Sequence, residues 1–298
     1  MSPSSTACLG LVAYVWGRGP QDRLLVEWLG PEAARLRREG LATGFWFDRY
    51  DARGPHVFSL FTVPCSAREE ILPRITQGLA AHLAAHPSRE ALSPERLEKL
   101  HAQTRGRRQC EADGWPGFAA NNSFVTFDHP ARGYPFWLSA AAPEEEEIWN
   151  QAAEASLWAI SRLAAGLRPL PPAVRWVEGV DRALREAGED PGAYWRHHVS
   201  TLLLAWDGEA GDEDLALLAE ALGEGQKRTF ARLWEEAERT AAGAPPAAPL
   251  VRLILAAPAE RRWPLLREID HVTLKQLGLP VILHAPLALY AWLRSRSS

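Results

Sequence analysis

The sequence feature that most constrains the fold is an aromatic segment, Gly-Phe-Trp-Phe-Asp-Arg-Tyr, at residues 44–50. A turn and a second apolar segment follow, at residues 51–55 and 56–61. Apolar side chains alternate in both segments with the two-residue period of a β-strand. The turn, Asp-Ala-Arg-Gly-Pro, combines a glycine that tolerates positive φ with a proline that stiffens the chain. The pattern therefore predicts a β-hairpin.

The predicted hairpin carries polar side chains that an aromatic strand seldom contains. We expect the turn to bring five of them close together: Asp48, Arg49, Tyr50, Arg53 and His56. A buried Asp or Arg costs free energy unless it is paired or used in chemistry. Two interpretations stay open, a salt bridge at the strand end with surface charges, which the residue types alone favour, and a functional pocket.

The segments around the hairpin predict an α+β fold, in which helices cover a mixed or antiparallel sheet. A buried strand is predicted at residues 9–16, and a helix with a break near Pro31 at residues 20–39. After the hairpin, Ser66 is predicted to cap a helix, with Glu69 completing a capping box.

A further strand at residues 121–127 and a long helix at residues 143–167 complete a sheet-rich region, residues 1–168. Residues 173–298 are predicted to be mostly helical, and proline-rich residues 243–249 to be flexible or polyproline-like. Helices are predicted at residues 174–187, 191–207, 212–222, 224–241, 264–277 and 286–296. We expect a single unit over residues 1–298 that contains both sub-regions.

Composition narrows the function classes. The net charge of -4 argues against a nucleic-acid partner, and the sequence has no run of 18 apolar residues that would span a membrane. Three cysteines without metal-ligand spacing, and no signal peptide, predict a reducing cytoplasm. A phosphate loop, a dinucleotide fingerprint and a nucleophile elbow are all absent from the sequence.

Two histidine segments lie in the predicted helical region. His197 and His198 are adjacent and point in different directions on a helix, so they do not easily chelate one ion. We expect one to pack against Tyr194 in the core and the other to face water. His271 and Lys275 share a helix face, which suits a proton donor beside a cation, but charges at a helix end explain the spacing equally well.

The order of these segments resembles the C-terminal elimination domain of class I lanthipeptide dehydratases. The resemblance begins with Tyr-Val-Trp at residues 14–16, a helix, Phe-Trp-Phe-Asp-Arg-Tyr at residues 45–50, a turn and Pro-His at residues 55–56. It continues in the helix at residues 143–167, where that domain has a Glu-rich helix. Asp-His-Val-Thr-Leu-Lys-Gln-Leu-Gly-Leu at residues 270–279 is similar to its closing motif, a His before a polar residue and a Leu-Gly pair.

The sequence departs from that domain in two places. Elimination domains carry basic residues in the strand after the turn, where they help to expel glutamate, but residues 57–62 contain none. The Asn and Arg expected after the late histidine are replaced by Lys275 and Gln276. The large glutamylation domain is also expected to be missing. A free-standing relative with these changes is similar to the thiopeptide pyridine synthases.

That resemblance implies a formal [4+2] aza-cycloaddition that joins two dehydroalanines of a modified precursor peptide. Loss of water and of the leader peptide would then leave a pyridine-centred macrocycle, without a cofactor. Two alternatives stay open. A glutamate-elimination subunit of a split dehydratase would retain basic residues in residues 57–62. A non-catalytic peptide-binding protein would not bring Arg49, Tyr50 and His271 to one cavity.

The resemblance implies His271 as the proton shuttle, and Arg49 and Tyr50 are expected to hold the substrate amide. Arg49 and His271 are predicted to face one peptide-sized groove, which the 13 tryptophans would help to line. The leader is expected near the first sheet or the arginines of residues 105–108. Further candidates for substrate binding are Asp48, His56, Ser59, Tyr134 and Lys275.

Overall fold

The computed structural model describes residues 6–50, 54–104, 119–129, 143–164, 168–203, 212–239, 247–279 and 283–296. The chain divides into two compact units, residues 1–157 and 158–298. The predicted α+β class is confirmed, with a sheet in the first unit and helices in the second.

The described part of the first unit is built around one four-stranded sheet. Its strands are β1 (Thr6–Tyr14), β2 (Gly44–Tyr50), β3 (His56–Pro64) and β4 (Ser123–His129). Its helices are α1 (Arg18–Arg23), α2 (Gly30–Arg38), α3 (Arg68–Ala85), α4 (Pro94–Thr104) and α5 (Pro143–Ala164), the last continuing past residue 157. The strand order is β2-β3-β1-β4 and every pair is antiparallel.

The predicted hairpin is confirmed as β2 and β3. Gly54 takes a φ of 110° before β3, a conformation that side chains with a Cβ rarely adopt. Tyr50 lies opposite His56, and Arg49 lies opposite Val57. Because side chains alternate along a strand, the pairing sorts the hairpin into two faces. We call them the arginine face (Phe45, Phe47, Arg49, Val57, Ser59, Phe61) and the tyrosine face (Trp46, Asp48, Tyr50, His56, Phe58, Leu60).

Two local predictions in the first unit are wrong. No break occurs at Pro31, because a π-helical segment, Leu24–Leu29, joins α1 to α2 and Pro31 lies in the first turn of α2. A proline is tolerated there. Ser66 does not cap α3, because residues Cys65–Ala67 form a 3-10 turn and the N-cap is Ala67, which makes no side-chain cap.

The described part of the second unit is helical. Its helices are α6 (Leu170–Glu186), α7 (Pro191–Leu203), α8 (Asp212–Glu220), α9 (Glu224–Arg239), α10 (Ala247–Leu255), α11 (Ala259–Gln276) and α12 (His284–Arg296). The sequence did not predict α10, whose first residues belong to the proline-rich stretch. Pro264 lies inside α11 instead of beginning it. Among the described residues, no helix combines the length and the apolar character needed to cross a membrane.

Asn150 fastens α5 to the edge of the sheet. Its side-chain oxygen accepts a hydrogen bond from the Phe45 backbone N–H at 2.7 Å, and its amide donates to the Thr43 carbonyl at 3.2 Å. The preceding residue, Trp149, meets Trp46 edge-on, with 6.0 Å between the ring centroids. Asn150 thus satisfies a backbone group of β2 and one of the residue before it, at the edge where the described sheet ends.

We expect Asn150→Ala to lower the free energy of unfolding by about 2 kcal/mol, because it leaves buried backbone groups without partners. Gln151→Ala is the matched control, since Gln151 bonds only Glu147 of its own helix among the described groups and alanine is the best helix former. Its effect should stay within about 0.5 kcal/mol. Urea denaturation measures both, and equal losses would contradict the role given to Asn150.

Candidate functional site

The predicted site residues fall into both units. Asp48, Arg49, Tyr50, His56 and Ser59 lie in the first unit, and His271 and Lys275 lie in the second. Tyr134, Arg53 and the arginines of residues 105–108 lie outside the described residues. The shared groove of Arg49 and His271 therefore stays a prediction, and each unit is described by itself.

Arg49 is a buried cation on the arginine face. Its side chain is 6% exposed, and its Nη2 donates to Oδ1 of Asp22, on α1, at 2.5 Å. Arg18 approaches the same carboxylate oxygen at 3.3 Å, so two guanidinium groups share one acid. Burial, and after it the charge of Arg18, lowers the pKa of Arg49 to about 10. Arg49 is therefore charged at neutral pH.

Part of this polar cluster has no partner. Nε and Nη1 of Arg49, and Oγ of Ser59, are buried and make no hydrogen bond to the rest of the described chain. Ser59 lies on the arginine face, two residues along β3 from the position opposite Arg49. An unpaired buried polar group costs about 1–3 kcal/mol. These atoms can bind a carbonyl oxygen or an anion without giving up an existing bond.

The tyrosine face holds the other hairpin candidates. The ring of Tyr50 stacks on His56 with centroids 6.0 Å apart, and Tyr14 contacts His56 from β1 at 5.3 Å. Nδ1 of His56 lies 2.8 Å from the Gly54 carbonyl, which can only accept, so this nitrogen carries the proton. Asp48 is buried on the same face, and its Oδ1 accepts the Arg49 backbone N–H at 2.7 Å.

The expectation that the turn brings Asp48, Arg49, Tyr50 and His56 together is therefore wrong for Arg49. The two-residue period of the strand places the side chains of Arg49 and Tyr50 on opposite faces of the sheet. The strand-end salt bridge that the residue types favoured is not what Arg49 forms: it pairs inside the protein with Asp22 of α1.

In the second unit, the closing motif surrounds a buried carboxyl group. Asp270 is 0% exposed, and its Oδ1 accepts a hydrogen bond from Trp176 Nε1 at 2.7 Å. The hydroxyl of Tyr194 donates to its Oδ2. Burial raises the pKa of Asp270 to about 7, although both hydrogen bonds favour the ionised form. Asp270 therefore changes its protonation state near neutral pH.

Three histidines of the second unit complete the candidate groups. His271 is partly exposed, and its ring meets that of His284 at a steep angle with centroids 5.2 Å apart. His284 bonds the Leu279 carbonyl through Nε2 at 3.1 Å, and burial lowers its pKa. His198 is fully buried, and Tyr194 lies 3.3 Å from its Nδ1. Burial, and next the charge of His271, lowers the pKa of His198 to about 3.

The described residues contain no group of three or more His, Cys, Asp and Glu side chains that could hold a metal ion. His198, His271 and His284 instead hydrogen-bond neutral groups or pack against rings. His198 packs against Tyr194 with tilted rings whose centroids are 5.8 Å apart, as the sequence predicted for one member of the histidine pair.

The sequence did not identify three sets of residues that belong to these sites. Asp22 carries no local signal, because it lies on an ordinary amphipathic helix and meets Arg49 only through the fold. Tyr194 and His198 were predicted only as core residues, and their four-residue spacing on α7 was the available hint of a contact. His284, which follows the closing motif by a few residues, was not considered.

A solved structure with a similar fold aligns with nearly the whole chain. The pyridine synthase TbtD from thiomuracin biosynthesis matches with a TM-score of 0.68 and 17% identity, over 98% of this chain and 97% of that one. At this identity the likeness shows the fold alone. The resemblance inferred from the sequence is confirmed at that level: the chain has the fold of a thiopeptide pyridine synthase.

The tRNA-dependent lantibiotic dehydratase MibB from Microbispora sp. 107891 matches with a TM-score of 0.50 and 14% identity. The match covers 99% of this chain and 28% of MibB, so this chain corresponds to one part of that larger protein. TsrL is a weaker match, with a TM-score of 0.42 and 12% identity over 98% of this chain and 95% of its own. No protein-family model and no curated protein sequence matches this chain.

The carboxylate of Asp22, which Arg18 and Arg49 share, leads to a prediction about stability. Asp22→Asn should lower the free energy of unfolding by about 2 kcal/mol, because it leaves buried Arg49 without its ion-pair partner. Arg49→Met should cost less, because Asp22 then keeps Arg18. The double variant should lose less than the sum of the two single losses. Guanidinium denaturation of all three variants tests this, and strictly additive losses would contradict the pairing.

Proposed function

We propose that this protein is a pyridine synthase that performs a formal [4+2] aza-cycloaddition on a ribosomally made peptide. The observation that carries the proposal is the match to TbtD over 98% of this chain and 97% of that one. The match leaves only a few per cent of either chain without a counterpart in the other. The substrate class, two dehydroalanines in a modified precursor peptide, follows from the reaction.

The reaction needs proton transfers at three points. One amide first becomes an iminol, as its N–H proton leaves and its carbonyl oxygen gains a proton. The iminol and its neighbouring alkene then add across the second alkene, which closes a six-membered ring. The ring hydroxyl, once protonated, leaves as water. A base finally removes a ring proton while the leader departs as its amide, and the ring becomes aromatic.

The polar groups of the second unit suit the acid and base steps. We assign His271 as the proton shuttle, because it is partly exposed and lies against the ring of His284. Lys275, one turn further along α11, is assigned to hold a substrate carbonyl near the imidazole. Burial holds the pKa of His284 below its usual value, which keeps a second neutral imidazole beside the shuttle.

The arginine face of the first unit suits recognition of the amide. Nε and Nη1 of Arg49 can donate to the carbonyl oxygen that becomes the iminol, and Ser59 can add a third hydrogen bond. Tyr50, with Asp48 and His56, is assigned to a second contact on the tyrosine face. Tyr134 remains a candidate for substrate binding by its sequence position alone. Convergence of Arg49 and His271 on one peptide is part of this proposal.

We propose no cofactor for this chemistry, because each step moves protons and rearranges bonds without a change in oxidation state that needs an external acceptor. Bringing two alkenes of one chain into contact supplies much of the rate, since it removes the entropic cost of the encounter. The partner is the modified precursor peptide with its leader, and we place the reaction in the cytoplasm with the machinery that makes the peptide.

The second candidate function is glutamate elimination by a free-standing subunit of a split dehydratase. The match to part of MibB favours it. Against it, β3 carries no Arg or Lys from His56 to Pro64, so a departing glutamate would lack the cations expected after the turn. A third candidate, a peptide-binding protein without catalysis, gives no reason for buried polar atoms that lack partners.

Reconstitution separates the three candidates. The purified protein is incubated with a leader-bearing peptide that contains two dehydroalanines, and in parallel with the same peptide carrying glutamylated serine. We expect the first peptide to lose water and its leader by mass spectrometry, and the second to remain unchanged. Loss of glutamate from the second peptide would establish elimination instead. Binding without any change in mass would leave only the peptide-binding function.

His271→Ala should reduce turnover of the bis-dehydroalanine peptide at least about a hundredfold, because general acid–base groups contribute that much or more. The matched control is His86→Ala, which removes an exposed histidine of the first unit and should leave turnover unchanged. Circular dichroism verifies that both variants are folded. Full activity of His271→Ala would exclude His271 from the mechanism, whatever the fate of the proposed reaction.

A further inference from the structure

A chain of hydrogen bonds crosses the interior of the second unit. It joins Trp176 on α6, Asp270 on α11, and Tyr194 and His198 on α7. All four side chains are at most 1% exposed. A buried ionisable network of this kind is costly to build, because every member must leave water. Nothing in the proposed assignment of His271 requires it.

The direction of each bond follows from the donors available. An ionised Asp270 can only accept, so the single hydroxyl proton of Tyr194 goes to Asp270. The contact at 3.3 Å between Tyr194 and Nδ1 of His198 then needs the proton on Nδ1. Neutral His198 therefore presents a lone pair at Nε2. That nitrogen is buried and has no hydrogen-bond partner in the described part of the chain.

We propose that His198, Tyr194 and Asp270 form a proton wire, which takes up a proton at Nε2 of His198 and stores it on Asp270. As the proton binds Nε2, the proton of Nδ1 moves to the Tyr194 oxygen. The original hydroxyl proton of Tyr194 moves to Asp270. The products are a neutral carboxylic acid, an unchanged tyrosine and a neutral imidazole protonated at Nε2, so one proton enters and none is lost.

The surrounding charges explain why the proton travels instead of staying on the imidazole. His197 on α7, Arg267 and His271 on α11, and His284 on α12 all disfavour a positive charge on His198. Burial with these neighbours holds the pKa of its imidazolium near 3, whereas the pKa of Asp270 lies near 7. Storage on Asp270 removes a buried negative charge and creates no positive one.

The proposed shuttle influences the wire electrostatically. His271 follows Asp270 directly on α11, and its charge acts on His198. Resting on the proposed function, the wire would take the proton that His271 gains from substrate and return it for the dehydration step. His198 and Asp270 act through His271 in this scheme, so they are positioning and relay residues and not catalytic ones.

The wire is tested without substrate. Nitrogen-15 NMR of histidine-labelled protein reports which ring nitrogen of His198 carries the proton, and infrared difference spectra report the carbonyl stretch of a protonated Asp270. From alkaline to acidic pH, we expect the proton of neutral His198 to pass from Nδ1 to Nε2 as the carboxylic acid band appears. Both changes should share a midpoint near pH 7.

Variants assign the signals. Asp270→Asn should abolish the infrared band, and Tyr194→Phe should leave an acid band while His198 no longer changes tautomer. Asp181→Asn is the matched control, because Asp181 is another buried acid that accepts a tryptophan N–H, from Trp195 at 3.0 Å. Its hydrogen-bond partners in the described part of the chain are Arg185 and Trp195, neither a tyrosine nor a histidine, so both wild-type changes should survive its loss.

Two results would overturn the wire. One is a tautomer of His198 that stays the same across the titration, and the other is a His198 ring protonated on both nitrogens near neutral pH. Both can be read from the wild-type protein, so a variant that fails to fold does not obscure them. If the protein is a pyridine synthase, Tyr194→Phe should also lower kcat at least about tenfold with little change in KM. Spectra that behave as expected, in a protein without turnover, would reject the proposed function and keep the wire.

Discussion

The pairing of β3 with both β1 and β2 is the interaction on which the first unit depends. It fixes the register that puts Tyr50 opposite His56, and it thereby assigns every hairpin side chain to one of two faces. A shift of one residue would exchange those faces and expose the aromatic core. The same register separates Arg49 from Tyr50, so any substrate that touches both must reach around the edge of β2 or contact them at different steps.

Each unit contains an acid with a distinct electrostatic environment. Asp22 pairs with two guanidinium groups, and Arg49 still has donors without partners. Asp270 is surrounded by neutral donors, and burial raises its pKa to about 7. The first cluster keeps the charge of Arg49 at neutral pH, whereas a carboxyl group like Asp270 can gain and lose a proton there. Under the proposed function, recognition and proton transfer would be divided between the two units.

Local sequence patterns were sufficient to predict the elements whose residues interact with near neighbours in the chain. The alternation in residues 44–61 predicted the hairpin that β2 and β3 form. Contacts between distant residues were not predictable, because Arg49 and Asp22 are 27 positions apart and Tyr194 and Asp270 are 76. The π-helical segment was not predicted. The 3-10 turn before α3 was not predicted either, and it takes the place of the expected Ser66 cap, because local capping preference is a weak guide to where a helix begins.

The fold by itself cannot select the chemistry, since TbtD and part of MibB share it with this chain at 17% and 14% identity. The side chains must therefore determine which reaction such a fold catalyses. Glutamate elimination must stabilise a departing anion, which favours cations in the strand after the turn. Cycloaddition followed by dehydration keeps the substrate amide neutral and moves protons repeatedly, which favours few cations and several groups that titrate near pH 7. An arginine-free β3, together with a buried Asp270 whose pKa lies near 7, fits the second set of demands better than the first.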